Sequence, residues 1–392
     1  MKNNIYIILF LLFLGGSSKA QELDYFVALA KENQPALRAD RIKNEALETK
    51  EHQYSAFQDP LFSVGYNVTP NSMERVTASA MQNFSWFGTA KKQKEAARKE
   101  LQSSLYSFVA KENQLEITVS NLYFDIQELT KQLTLQKEIL RTFESFEVLA
   151  TNKLATSRGS MVDVARAEIE KNKASLQIDI IELQISNLKE ALNRMVQREP
   201  NTPIDIVLID HLAMVAETAL EEHPEMKAAI AKQEEMELLT AVAKKEASPQ
   251  LGIGVDYMQM NPIHHEFMPM ISLSIPIYRK KYRAKIEETA LLKKAYDEEK
   301  EALKIEHYRA RDAVKSQLEQ LAKEKALYGS QIDKLKKAKE LLLTYYSTSG
   351  SDFEELIRLQ QEENTYKNNL ISTQTLHLKL NKQWEYLNNI AQ

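Results

Sequence analysis

Thioether and imidazole side chains are concentrated in one short segment of the second half of the chain. Thirteen consecutive residues contain Met258, Met260, His264, His265, Met268 and Met270. Sulfur and imidazole nitrogen are ligands that suit Cu(I) and related soft cations. A hairpin would bring its two arms close enough to share one ion, so these six residues are candidate metal ligands. In the alternative interpretation, the methionines line a barrel and the histidines lie in a polar loop.

No other segment carries a recognisable catalytic pattern. The sequence contains no H-E-x-x-H, no G-x-x-x-x-G-K-[ST], no G-x-G-x-x-G and no G-x-S-x-G motif. Cysteine is absent, which excludes disulfides, Cys-type metal sites and a thiol nucleophile. A net charge of −4 gives no indication of a nucleic-acid-binding surface. We therefore predict a protein that is not an enzyme, has no cofactor and binds no nucleic acid.

The candidate ligands lie on two predicted strands, residues 251–260 and 267–275, and on the loop between them. Two similar segments, 61–69 and 75–84, occur in the first half. Alternation places apolar side chains on one face of each strand and small or polar ones on the other. Strands of this length can cross a bilayer. Four strands cannot close a barrel, and an open edge cannot face lipid, so we expect oligomerisation; three chains would supply twelve strands.

Long helices follow each predicted hairpin. Residues 89–158 contain neither Gly nor Pro, and their large apolar residues recur at alternating spacings of three and four, which predicts one continuous helix roughly 100 Å long. The second half repeats this pattern. The other predicted helices are 163–198, 224–246, 282–347 and 352–389, together with a first helix from residue 22 that is interrupted by Pro35.

The chain is a tandem duplication. Pro224 follows Pro35 by 189 residues, and Gly350 follows Gly159 by 191. The two repeats span residues 21–200 and 201–392. Before them, residues 1–20 are typical of a secretory signal peptide, because a basic Lys2 precedes a short apolar run and small residues that end at Ala20.

Aromatic residues gather where the predicted strands give way to the long helices. They are Trp86, Phe87, Tyr278 and Tyr282. Basic residues follow them in both repeats, as expected for aromatics at a membrane interface. The alternative is a solvated helix start with no membrane contact.

These features together resemble one family. The residues that carry the resemblance are Asn33-Gln34-Pro35-Ala36-Leu37, Asp59-Pro60, Trp86-Phe87-Gly88, Pro276-Ile277-Tyr278 and the paired breaks at Gly159 and Gly350. In this order, across a duplication of about 190 residues, the chain resembles the TolC family of outer-membrane efflux proteins. Residues 268–282 look like the branch that serves heavy-metal pumps for copper and silver or for cobalt, zinc and cadmium.

The resemblance implies a mainly α fold with a small β part. Long antiparallel coiled-coil helices would form a periplasmic α-barrel, and four strands per chain would join a trimeric twelve-stranded barrel in outer-membrane lipid. The implied partners are a periplasmic adaptor and an inner-membrane pump of the RND type. The implied function is passive conduction of substrate to the outside.

The resemblance also implies that both helix breaks lie at a periplasmic tip where the adaptor docks and the pore closes. The corresponding residues are Ser157, Arg158, Gly159, Ser160 and Asp163 in the first repeat and Ser349, Gly350, Asp352, Glu354 and Glu355 in the second. The chain departs from the family at Leu356, where an acidic gate residue would align. We therefore expect Asp352 and Glu355 to form the ring of carboxylates. Alternatively, Asp352 caps the last helix, with Glu354 and Glu355 in its first turn.

Three other functions are compatible with the sequence. The chain could be a secreted or periplasmic structural coiled-coil protein without channel activity, the duct of a drug efflux or type I secretion system, or a metal-storage protein that uses the Met and His cluster. In the structural coiled-coil alternative the four strands would form a soluble cap on the helices. The alternation in all four strands favours the duct, because a soluble cap would expose the large apolar residues of one face to water.

Overall fold

The computed structural model describes residues 21–54, 57–68, 76–259, 263, 265–349 and 352–389. Over these residues the chain forms seven α-helices and four β-strands. The predicted signal peptide and three predicted site residues, Met260, His264 and Gly350, lie outside the described residues.

The order of helices and strands repeats along the chain, as the duplication predicts. The first repeat contains α1 (Gln21–Asn33), α2 (Pro35–Gln53), β1 (Leu61–Tyr66), β2 (Val76–Phe84), α3 (Thr89–Ala155) and α4 (Met161–Met195). The second contains a short 3-10 helix (Leu220–Glu222), α5 (Pro224–Glu246), β3 (Gln250–Gln259), β4 (His265–Ser274), α6 (Arg279–Ser349) and α7 (Phe353–Leu387). Every predicted helix and strand is present.

Several boundaries differ from the prediction by a few residues. Strand β1 is six residues long rather than nine, and its pairing with β2 ends at Tyr66 opposite Val76. Helix α3 ends before residue 158 because Ser157 adopts a left-handed backbone with φ of 56°. Helix α4 ends before residue 198 for the same reason, since Gln197 has φ of 60°. Ser157 and Gln197 are not glycine, so neither residue marks its helix end in the sequence, although Gly159 follows the first end by two residues.

The four strands form one antiparallel sheet in the order β1-β2-β3-β4, and β2 pairs with β3, which joins the two repeats. The register aligns the alternation of all strands. Phe62 lies opposite Ala80, Ala80 opposite Val255, and Val255 opposite Pro269. Because neighbouring residues in register share a face, the sheet has one continuous apolar face and one face of small, polar and methionine side chains.

The chain divides into two compact units. The helical unit comprises the described residues up to Arg38 with Lys111–Glu217 and Tyr308–Asn388, and the strand-bearing unit comprises Ala39–Ala110 and Thr218–His307. Each unit contains segments of both repeats. No helix among the described residues is sufficiently long and apolar to cross a bilayer.

The helical unit has an aromatic core. Phe26, Tyr123 and Phe124 are almost completely buried, and a second cluster surrounds Phe143 and Phe353. The linker between the repeats is held by side chains of α3. The Tyr123 hydroxyl donates to the carbonyl oxygen of Val207 over 2.9 Å and accepts from the N–H of Val207 over 3.0 Å. Val207 lies outside any helix or strand, so this side chain satisfies both of its backbone groups.

Candidate functional site

The first helix break is a tight turn with defined hydrogen bonds. The N–H of Arg158 donates to the carbonyl of Lys153 over 2.9 Å, and the N–H of Ser157 donates to Leu154 over 3.0 Å. These two bonds, together with the left-handed backbone of Ser157, form a Schellman motif, which satisfies the last carbonyl groups of a helix. Ser157 and Arg158 are exposed, so the turn presents both side chains to the surroundings.

Gly159 is required by close packing rather than by its backbone dihedral. A Cβ at this position would lie 2.8 Å from Cβ of Lys153 and 2.9 Å from the backbone nitrogen of Leu154. The next residue begins α4, since the Ser160 hydroxyl accepts from the N–H of Val162 over 3.1 Å. Asp163 follows in the first turn of that helix, where a negative charge is favourable.

The second helix break has a different geometry. Asp352 precedes α7 with a left-handed backbone, φ of 70°, and its side chain makes no capping hydrogen bond. The alternative in which Asp352 caps the last helix is therefore wrong, because the left-handed backbone is not the extended one that an N-cap side chain needs. Glu354 and Glu355 do lie in the first turn of α7, as predicted.

The two breaks lie next to each other in the helical unit. The Nζ of Lys153, at the end of α3, donates to the backbone carbonyl of Ser347 near the end of α6. Arg166 of α4 pairs with Glu354 of α7 over 2.9 Å. These two contacts place the helix ends at the two breaks side by side, and we call residues 153–166, 347–349 and 352–358 the tip cluster.

Arginine neutralises much of the acidic charge in the tip cluster. Arg358 contacts Glu355 through two hydrogen bonds of 2.5 and 2.8 Å, and the guanidinium holds the pKa of that carboxyl below its ordinary value. Glu354 is likewise paired with Arg166. Asp352 is exposed. The predicted pair of gate carboxylates is therefore not equivalent, because Glu355 carries its own counter-charge.

A phenol and an aspartate meet beneath the tip cluster. Tyr346 is fully buried, and burial together with the negative charge of Asp163 raises the pKa of its hydroxyl to about 12. Leu356, which departs from the family pattern, is also fully buried and packs in the same core as Tyr346 and Phe353. A carboxylate at position 356 would be desolvated in that core, which explains the leucine.

The sheet separates the predicted metal ligands. Met258, Met268 and Met270 lie on the polar face, where Met258 pairs with Glu266, Met268 with Asp256 and Met270 with Gly254. His265 lies on the apolar face, and its Nδ1 is 2.7 Å from the hydroxyl of Tyr257. The structure therefore brings the three methionines together without His265. With Met260 and His264 outside the described residues, metal binding at this hairpin stays a prediction.

The polar face includes a methionine that the sequence analysis did not single out. Met81 belongs to β2, where it pairs with Leu61 of β1 and with Gly254 of β3. Its sulfur would lie 3.2 Å from a Cβ atom added to either Gly252 or Gly254. A Cβ at Gly252 would also lie 2.2 Å from the Ser272 hydroxyl, so glycine leaves room for neighbouring side chains. The weak period-two alternation of β2 could have identified Met81.

Two of the four predicted interface aromatics are brought together in the strand-bearing unit. Trp86 and Tyr282 line one cavity of about 440 Å³. Phe87 stacks edge-on against Trp86 at a centroid distance of 5.9 Å and is 77% exposed. Tyr278 is also exposed. A contact of these residues with membrane stays a prediction.

Sequence reasoning named Arg158 but did not identify Arg166 and Arg358, the two arginines that pair with acidic residues of the tip cluster. Arg358 follows Glu355 by three residues on one helix, so helical spacing could have found this pair. Arg166 and Glu354 are on different helices, and only the fold brings them together. It also missed a cluster of His223, Glu225 and His307 in the strand-bearing unit.

Solved structures share this architecture over nearly the whole chain. CusC, described in terms of transmembrane channel formation, matches with a TM-score of 0.82 and 14% identity over 95% of this chain and 92% of CusC. VceC, an outer membrane protein of Vibrio cholerae, matches with a TM-score of 0.81 and 12% identity over 95% and 97% of the two chains. The outer membrane channel CmeC of Campylobacter jejuni matches with a TM-score of 0.76 and 12% identity over 94% of this chain and 85% of CmeC.

No protein-family model matches the sequence, and no curated protein sequence matches it. Identities of 12 to 14% establish a common fold and not a common substrate. Long paired helices, a four-stranded antiparallel sheet and near-complete coverage agree with the resemblance in the sequence. The chain therefore has the fold of the TolC-family outer-membrane channels.

Proposed function

We propose that this chain is the outer-membrane exit channel of a tripartite efflux system. Three copies form a twelve-stranded barrel in the outer membrane, and most of each chain lies in the periplasm. The channel passively conducts substrate delivered by an RND-type inner-membrane pump and a periplasmic adaptor. The observation that carries the proposal is the sheet, which has an exposed apolar face and two open edges within a fold shared with outer-membrane channels.

The apolar face of the sheet suits lipid. Val64 and Ile271 are each 80% exposed, and Phe62 is 71% exposed. So large an apolar surface would be costly in water. Within the described residues β1 and β4 each pair on one side only, and in lipid such an edge must be paired. Pairing β4 of one copy with β1 of the next satisfies both edges and closes a barrel.

Helix α4 supports assembly in a second way. Val162, Ile169, Leu176 and Leu183 recur every seven residues along it and are each more than half exposed. A heptad stripe of apolar residues is the surface that packs against another helix in a coiled coil. In the trimer this stripe packs against a helix of a neighbouring copy.

The tip cluster is the proposed adaptor-docking and gating region. It consists of two adjacent helix turns with exposed polar side chains, and three copies of it would surround the pore axis. Among the three acidic residues of the second helix break, Asp352 then supplies most of the unneutralised negative charge, because Arg358 and Arg166 counter Glu355 and Glu354. A ring of three aspartates attracts cations and repels anions.

The proposed substrate is a heavy-metal cation. Met81, Met258, Met268 and Met270 share the polar face with Asp256 and Glu266. If the apolar face contacts lipid, this face lines the pore, where thioethers and carboxylates offer weak, repeated contacts to soft cations. Such contacts let an ion enter and leave.

Fractionation and mass measurement test the channel itself. The protein should stay with outer membranes in high salt, dissolve in detergent and give the mass of three chains in mild detergent. Extraction by salt alone, or a single-chain mass, would support the secreted coiled-coil alternative instead.

The helix stripe offers a matched pair of variants for assembly. Leu176→Glu places a charge on the stripe, whereas Ser175→Glu places the same charge about 100° around the helix. We expect the first to lower the trimer fraction and the second to leave it unchanged. Equal trimer fractions would mean that the stripe is not an assembly surface.

Cell tolerance tests the substrate. Relative to the parent strain, cells that lack the protein should lose tolerance of copper or silver and keep their tolerance of hydrophobic drugs. Expression of the wild-type chain should restore metal tolerance fully, and expression of the Met258→Leu, Met268→Leu double variant should restore it only in part. If expression of the wild-type chain restores tolerance of drugs but not of metals, the protein is the duct of a drug efflux system and the heavy-metal substrate is wrong.

A further inference from the structure

We propose that His223, Glu225 and His307 form a binding site for one divalent transition-metal ion of the zinc class. The site lies within the strand-bearing unit, away from the sheet and its methionines. It does not depend on the proposed channel function, because it is built from residues of a single chain.

Three elements converge at this site. His223 lies between the short 3-10 helix and α5, Glu225 lies in the first turn of α5, and His307 belongs to α6. One ligand atom from each residue lies within 4.8 Å of the other two. The centroids of the two imidazole rings are 4.4 Å apart. Two histidines and one carboxylate are a ligand set that zinc accepts, with a fourth position left for water.

Burial makes the arrangement unusual. His223 is 1% exposed and His307 is 4% exposed, whereas the side chain of Glu225 is 36% exposed. Two buried imidazoles with one carboxylate are hard to explain as a solvated surface cluster. The partly open glutamate gives a path by which an ion could enter.

One polar atom of the site lacks a protein partner. The Nε2 of His307 is 2.7 Å from a carboxylate oxygen of Glu225, but Nδ1 of the same ring is buried without a hydrogen-bond partner among the described residues. Buried polar nitrogens are almost always satisfied by protein, water or an ion. Metal bound through Nε2 would leave the ring proton on Nδ1, where a buried water can accept it.

The ligands must adjust slightly to bind. Zinc bonds to nitrogen and oxygen are about 2.0–2.2 Å long, so a tetrahedral ion holds its ligand atoms roughly 3.3 Å apart. The His307–Glu225 contact would widen from 2.7 Å, and the other separations, all within 4.8 Å, would adjust by side-chain rotation. His223 gives up the bond of 3.3 Å that its Nδ1 accepts from the N–H of Glu225. That bond is long, so it is readily exchanged for a metal bond.

The consequence of binding is a link between α5 and α6. The ion would fix the N-terminus of α5 to a point on α6 far along the sequence, and metal that binds only the folded state stabilises it. Lys227, two residues after Glu225, is paired with Glu222 over 2.7 Å.

Titration with zinc alone tests the site. The full-length chain without a histidine tag is stripped with a chelator and titrated with ZnCl₂, while bound zinc and the melting temperature are measured. We expect one tightly bound ion per chain and a higher melting temperature. His307→Gln and Glu225→Gln should each weaken binding by more than about tenfold and remove the rise in melting temperature.

Two controls separate this site from others. His52→Gln changes a histidine outside the cluster, and Met268→Leu with Met270→Leu changes the hairpin; both should retain zinc binding. Circular dichroism checks that every variant is folded. The proposal is overturned if the folded wild-type chain binds no zinc, or if His307→Gln and Glu225→Gln bind zinc as tightly as the wild type.

Discussion

The ammonium group of Lys153 donates a hydrogen bond to the backbone carbonyl of Ser347 and thereby joins the ends of the two long helices. Lys153 is only 9% exposed, although lysine is rarely buried. Its partner is one of the last carbonyls of α6, which have no intrahelical donor and carry partial negative charge.

Lys153→Met should therefore loosen the tip cluster. Methionine fills a similar volume but cannot donate, so the free energy of unfolding should fall by about 1.5–3 kcal/mol. Thermal unfolding in mild detergent measures the effect. Lys173→Met is the control, because Lys173 is 66% exposed and pairs with Glu170, three residues away on the same helix. Equal effects of the two substitutions would contradict the role of Lys153.

Gly159→Ala should destabilise the first turn. Its Cβ would lie 2.8–2.9 Å from atoms of Lys153 and Leu154, and one of these is backbone that cannot move aside cheaply. We expect a loss of about 1–3 kcal/mol in the free energy of unfolding.

Gly329→Ala is the matched control for Gly159. This glycine is inside α6, and apart from its chain neighbours and the adjacent backbone of its own helix, no heavy atom of the described residues lies within 4 Å of the added Cβ. Alanine should stabilise the helix there by about 0.5–1 kcal/mol. Opposite shifts of the two melting temperatures are expected, and shifts of the same sign would refute the packing assigned to Gly159.

Glu363 should make stability depend on pH. Burial alone would raise its pKa, but hydrogen bonds from Lys339 and Lys367 outweigh burial and hold the pKa below 4.5. A lowered folded-state pKa means that the carboxylate stabilises the fold above the ordinary pKa, and that this contribution is lost as the pH falls through the folded-state value.

Glu363→Gln should accordingly cost about 1.5–3 kcal/mol at pH 7, because it leaves the partly buried ammonium groups of Lys339 and Lys367 without their carboxylate. Its melting temperature should also change less than that of the wild type between pH 5 and more acidic values. Glu362→Gln, at a side chain 46% exposed, should behave like the wild type. Parallel pH curves for wild type and Glu363→Gln would rule out this role.

The two faces of β1 should respond differently to charge. Val64→Arg places a cation on the face that we expect to contact lipid, at a cost of about 2–4 kcal/mol per chain near the membrane centre. Ser63→Arg places the same side chain on the opposite face. The yield of trimer in the outer membrane should fall only for Val64→Arg. Equal yields would argue against lipid contact by the apolar face.

Asp352→Asn should reduce cation selectivity of the reconstituted pore. The proposed ring of three carboxylates disappears, so block by divalent cations should weaken while the fold stays intact. Glu340→Gln, which removes an exposed charge further back along α6, is the control. Unchanged block in Asp352→Asn would remove Asp352 from the gate.

The order of the helices and strands can be predicted from the amino-acid sequence. Absence of Gly and Pro between residues 89 and 158, the period of two in the strands and the 189-residue spacing of Pro35 and Pro224 are local or repeating patterns. The alternation also excludes odd shifts in register, because a shift by one residue would move Val255 or Ile271 from the apolar face to the polar one, whereas the pairing itself comes from the structure.

Tertiary structure alone decided which side chains meet. His265 and Met268 are three residues apart in one strand, yet the pleat places them on opposite faces, so proximity in sequence was misleading for the metal ligands. Lys153 meets Ser347, and Glu225 meets His307, across 194 and 82 residues. No local pattern encodes such pairs, since they depend on how helices distant in sequence pack side by side.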